Sequence, residues 1–117
     1  MNETFDYVIT LVSFTKIKNN FDEIERDQLK TGVFADIQEL SQFEYTQAQA
    51  EGLKPEIKFT IAEYLEYNGE NIIEHNGKYY KVLRTKRTKT GRGISFICES
   101  TINPWEVNTD GDAEIGG

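Results

Sequence analysis

One dipeptide limits the folds open to this chain more than any other: Asn76-Gly77, set between IIEH and KYYKVLRT. Both residues tolerate positive φ, which a two-residue turn needs to match the twist of its flanking strands, so the pair joins two antiparallel strands. The second of these continues past Lys78 into a basic turn, TKRTKTGRG. Beyond the turn, Ile94, Phe96 and Cys98 alternate with Ser95, Ile97 and Glu99 as a return strand. Strand alternation predicts Tyr80, Val82 and Arg84 on one face and Tyr79, Lys81 and Leu83 on the other.

Upstream, the residues from Phe5 to Thr15 are rich in β-branched and aromatic side chains and read as a first strand. The polar run from Lys16 to Asp27 reads as a long exposed connection, anchored by Phe21 and Ile24. From Gln28 to Leu40, Val33, Ala35 and Ile37 alternate with Phe34, Asp36 and Gln38, a second strand with one face on a core. Ser41 then offers an N-cap hydroxyl, and Glu44 sits where its carboxylate can reach back to the cap N–H. Good helix formers follow from Phe43 to Glu51, and Gly52 with Pro55 supplies the stop. This helix offers only Phe43, Tyr45, Ala48 and Ala50 as apolar contacts, so packing or a partner must hold it. Ile57, Phe59 and Ile61 then alternate with Lys58, Thr60 and Ala62 as a third strand, and Asn68-Gly69 marks a further turn.

Many short strands with glycine turns and one helix predict a mainly β fold, a small antiparallel β-barrel with one short helix inserted between strands two and three. An open α+β sheet is the alternative. At 117 residues the chain has room for one core. Residues 1–100 are expected to form that domain, with 101–117 an acidic, flexible tail disordered beyond about Val107 unless Trp105 docks on a neighbour.

Charge is strongly segregated. Residues 1–77 carry 6 basic and 15 acidic side chains, residues 78–98 carry 7 basic and no acidic ones, and residues 99–117 carry 5 acids and no base. General nucleic-acid binding is disfavoured, because most of the surface repels a polyanion. Lys78 and Lys81 read as solvated hairpin side chains. The cluster Lys86, Arg87, Lys89 and Arg92 is a candidate contact for phosphate or an acidic partner, since clustered like charges destabilise unless something offsets them.

Chemistry-bearing constellations are sparse. The single histidine, His75, adjoins a turn and reads as exposed, and the single cysteine, Cys98, reads as a small core hydrophobe; together they cannot assemble a zinc set. Asp22, Glu23, Glu25 and Asp27 lack the glycine and terminal glutamate of an EF-hand loop. No phosphate-cradling or nucleophile-elbow motif is present. The expectation is therefore a non-enzymatic protein with no cofactor and no metal. With no long apolar run and no signal-like start, a soluble chain made in a cytoplasm is expected, without a membrane partner.

The order of a strand, ADIQELSQFEYTQAQAEG, the alternating KFTIAEY and the hairpin YNGENIIEHNGKYYKVLRT resembles the phage head–tail adaptor family, the head-completion or "stopper" proteins of long-tailed phages. The similarity spans roughly Phe5 to Cys98. It implies a small β-barrel that self-associates into a ring under the portal and its adaptor, closes the DNA exit channel after packaging and offers the tail a docking surface. The resemblance also implies a virion protein at the head–tail interface, present in the host cytoplasm during assembly and monomeric when free. Its partners would be portal, adaptor and tail proteins, with transient proximity to packaged double-stranded DNA. The helix segment, with Ser41, Phe43, Glu44, Tyr45, Gln47, Ala48, Gln49 and Gly52, would then be the channel-closing element. Lys86, Arg87, Lys89 and Arg92 would dock a subunit or partner. The acidic tail and the basic tip depart from the family pattern.

Two other functions compete. A tail-completion protein of the same neck region shares the ring logic. An OB-like barrel that binds single-stranded nucleic acid would use Tyr79, Tyr80 and the basic hairpin, although strand geometry separates the two rings onto opposite faces.

Overall fold

A computed structural model describes residues 5–18 and 24–104. Among them the chain is mainly β: six antiparallel strands and one α-helix, in the order β1 (Tyr7–Lys18), β2 (Ile24–Gln38), α1 (Gln42–Ala50), β3 (Ile57–Ile61), β4 (Ile72–His75), β5 (Lys78–Arg87) and β6 (Ile94–Thr101). Neighbours follow the order β1-β2-β3-β6-β5-β4, and pairing of Val12 with Ile72 and Thr10 with Glu74 joins β4 back to β1. The sheet therefore closes on itself like a ring, which leaves few open edges in the body.

Register fixes which side chains point inward, because residues directly opposite in a ladder share a face. Ile9, Leu11, Val33, Ala35, Phe59, Ile61, Ile73, Tyr80, Phe96 and Cys98 fill the interior. Phe59 and Tyr80 meet edge to face with centroids 5.5 Å apart, and Tyr67 meets Phe96 at 4.8 Å. Tyr64 and Tyr67 reach this core from the segment between β3 and β4, which includes a 3-10 turn at Tyr64–Glu66. A second cluster of Val12, Phe14 and Ile72, with Tyr79 against it, lies on the outer face.

The Asn-Gly hairpin forms as its sequence dictates. His75 pairs with Lys78, and Asn76 and Gly77 take φ of 52° and 77°. Three expectations are corrected. The polar run after Thr15 is not one long connection: β1 continues to Lys18 and β2 starts at Ile24, paired as far as Lys18 with Ile24. Propagating an antiparallel ladder from residues already paired costs little, and polar side chains are tolerated on a ribbon. Residues 19–23, with the anchor Phe21, lie outside the described residues, as does everything after Pro104, including the tail expected to be disordered.

His75 is the second correction. It is half-buried rather than exposed, its ring edge-on to Tyr7 and Phe59 and its Nδ1 3.3 Å from the Val8 carbonyl. Third, Arg84 does not share a face with Tyr80 and Val82. Val82 pairs with Cys98 but Arg84 pairs with Ile97, so Leu83 is an extra residue in a β-bulge and the alternation flips beyond it.

Candidate functional site

The outer face of β3, β6 and β5 carries two features: the docked helix and, beside it, a positively charged groove. Outward-pointing residues there are Asp36 and Gln38 on β2, Lys58 and Thr60 on β3, Ser95 and Ile97 on β6, and Arg84 and Lys86 on β5, as the register sets. The polar ones are linked across strands. The buried hydroxyls of Thr60 and Ser95 are 2.8 Å apart, Thr60 donates to Gln38 Oε1 at 3.3 Å, and Gln38 donates to Asp36 at 3.1 Å.

Helix α1 begins as its sequence predicts. Ser41 Oγ accepts from the Glu44 N–H at 3.1 Å and the Glu44 carboxylate accepts from the Ser41 N–H at 2.9 Å, the reciprocal capping box. At the far end Gly52 takes φ of 80°, and its N–H donates to the Gln49 carbonyl at 2.9 Å. What holds this helix to the sheet differs from expectation. Phe43, 73% exposed, and Tyr45 point to solvent, as do Gln47, Gln49 and Ala50, and Ala48 alone is buried, at 1%.

The contact stripe is instead Glu44, Ala48 and Glu51, at helical spacings of four and three. Lys58 Nζ donates to both Glu44 oxygens at 3.1 Å, and Arg84 donates to the Glu51 carboxylate. Lys58 and Arg84 are the two ladder partners of Ile97, which is 5% exposed although it points outward. An ion pair at each end of the stripe thus brackets Ala48, the one buried residue of the helix. The Arg84 Nε is buried without a hydrogen-bond partner, a cost that weakens this second anchor. Burial pushes the Glu44 carboxyl up, but the Ser41 backbone N–H and the Lys58 ammonium outweigh it and hold it below its ordinary 4.5.

The groove has a volume of about 1110 Å³ and runs from Gln38, Glu44 and Lys58 past Ser95 to the turn after β5. Lys58, Lys86, Arg87, Lys89 and Arg92 line it against two carboxylates, Glu44 and Glu63, a surplus of three positive charges. The structure thus brings together all four predicted docking cations but employs them differently. Arg87 stacks on Tyr64, its Cζ 3.3 Å from the ring centroid, and its Nε donates to the Gly91 carbonyl at 3.0 Å. Arg92 Nε donates to Glu63 at 3.1 Å. Lys86 and Lys89 are exposed and form no ion pair with the described residues.

The turn itself is tightly built. The Thr88 N–H donates to the Gly93 carbonyl at 3.0 Å, and the Gly93 N–H donates to Thr88 Oγ1 at 3.0 Å. A Cβ on Gly93 would stand 2.6 Å from the Ile61 carbonyl oxygen, so only glycine lets the turn close on β3.

The groove floor, helix stripe and Arg84 anchor were missed by sequence reasoning. The Glu44, Ala48 and Glu51 spacing carried the only signal for them. The two aromatic rings of the single-strand reading are occupied elsewhere: Tyr80 is 9% exposed in the core and Tyr79 packs on the outer cluster. Cys98 is buried, and burial pushes its thiol far up. Among the described residues no three His, Cys, Asp or Glu side chains gather as metal ligands, and no helix is long and apolar enough to cross a membrane. No known protein family and no curated protein matches the chain.

Proposed function

We propose that this chain is a structural protein of a phage neck: a small β-barrel, its helix inserted between strands two and three, that forms a ring under the portal and adaptor, closes the DNA exit channel and receives the tail. The observation that carries the reading is how lightly α1 is attached. It has nine residues, too few for a stable helix alone. Its contact with the sheet is one buried alanine between two ion pairs. The half-exposed Arg84–Glu51 pair contributes about 0.2–1 kcal/mol, and the more buried Glu44–Lys58 pair gives back part of its attraction as desolvation. A helix so held exchanges its sheet contacts for contacts with neighbouring copies at small cost, which is what an element that seals a channel on assembly requires. Lys86 and Lys89, free and adjacent in one groove, then meet an acidic surface of the next subunit or ring.

The test is negative-stain microscopy of the chain mixed with cognate portal complexes. Rings should appear for the native chain and vanish for Lys86→Glu with Lys89→Glu. Deleting residues 46–52 should leave rings on capsids that leak DNA. Absence of rings with the native chain, or sealed capsids after the deletion, would refute the assignment.

A further inference from the structure

We propose that in the free chain the basic groove is occupied by the chain's own acidic tail, residues 105–117, which masks Lys86 and Lys89 until an acidic partner displaces it. The inference rests on the groove being a docking surface, and not on which assembly it docks.

Charge supplies the first argument. The groove has a surplus of three cations, and Lys86 and Lys89 form no ion pair with the described residues. The tail contributes Glu106, Asp110, Asp112 and Glu114 with no basic residue among them. Two segments of opposite sign, each unbalanced within itself, attract one another, and each lowers the self-repulsion of the other.

Reach supplies the second. The described chain ends at Pro104, just past β6, whose Ser95 lines the groove. Six residues of strand from Ser95 to Thr101 span about 20 Å. The ten residues from Pro104 to Glu114 extend at most about 33–36 Å, so while Asp110 stops short of it, Asp112 and Glu114 can return to the Lys86 side of the groove. Tethering places them there at an effective concentration in the millimolar range, which a neighbour's tail reaches only after assembly. Own-tail occupancy therefore precedes any contact between copies, and an arriving acidic surface must outcompete it.

The deciding measurement is paramagnetic relaxation on the full-length chain carrying Thr109→Cys with a nitroxide, at dilute concentration; buried Cys98 stays unlabelled. Amide signals of residues 86–92 should fall about twofold or more at 0.01 M salt, where the Debye length is about 30 Å, and recover at 1 M, where it is about 3 Å. Lys86→Glu with Lys89→Glu should abolish the loss. Undiminished signals at low salt would overturn the proposal. So would signal loss only in mixtures where nitroxide and isotope label sit on different chains, which would assign the groove to a neighbour's tail. Neutralising the tail with Glu106→Gln, Asp110→Asn, Asp112→Asn and Glu114→Gln should raise retention on heparin; unchanged retention would overturn the masking. Because every arm uses the free chain, ring assembly can fail without affecting the result.

Discussion

The Glu44 carboxylate accepts from Lys58 Nζ at 3.1 Å while also accepting from the Ser41 N–H at 2.9 Å, so one side chain both caps α1 and fastens it to β3. Glu44→Gln keeps an acceptor for the cap but removes the ionic attachment. Amides of Phe43 to Ala50 should exchange with deuterium several-fold faster, while those of Phe59 and Phe96 stay protected. Equal loss of protection in helix and sheet would show that α1 is not independently released.

Acid should do the same to the native chain. Because Glu44 titrates below 4.5 in the folded state, its contribution is complete above that value and is lost as the pH falls through the folded one. Helix protection should therefore be flat from neutral pH down to the ordinary 4.5 and decline only below it. The Glu44→Gln variant should lack this decline. A decline between pH 6 and 7 would point to a different group.

Ala48 is the side chain on which the helix sits. Ala48→Leu adds volume at the buried position of α1 and should cost about 1–3 kcal/mol in urea unfolding. Gln49→Ala, on the exposed side, should change stability by less than about 0.5 kcal/mol.

Gly93→Ala should disturb the basic turn out of proportion to one methyl group. The new Cβ meets a backbone oxygen that cannot rotate away, so amide shifts from Thr88 to Gly93 and at Ile61 should move together. Thermal unfolding should occur several degrees lower, in line with a loss of about 1 kcal/mol or more. A variant with native shifts would show that the turn and β3 are less closely packed than described.

How much of this was legible in the sequence depended on whether local patterns or long-range register decided the outcome. The Ser41 to Glu44 capping box and the Asn76-Gly77 turn are short-range devices, and both were read correctly. So were Val33, Ala35, Phe59 and Ile61 as interior residues, because alternation alone assigns them once a core exists. On the helix, Ala48 was among the four apolar contacts expected and is buried, but Phe43, Tyr45 and Ala50 are exposed. The contact was made by two acids whose partners, Lys58 and Arg84, are set by the pairing of β3 and β5 with β6. The groove was invisible for the same reason. Its lining residues Gln38, Lys58 and Ser95 come from three strands, and nothing in their local sequence marks them as neighbours.

The extra residue at Leu83 determines the sign of the protein's exterior. With uninterrupted alternation Arg84 and Lys86 would follow Val82 into the apolar interior, where unpaired cations cannot be tolerated. Removing one residue at that position would turn the strand inside out from there onward. The spacing of this segment should accordingly resist single-residue insertion or deletion far more strictly than its side chains resist exchange, which makes length the inheritable quantity there.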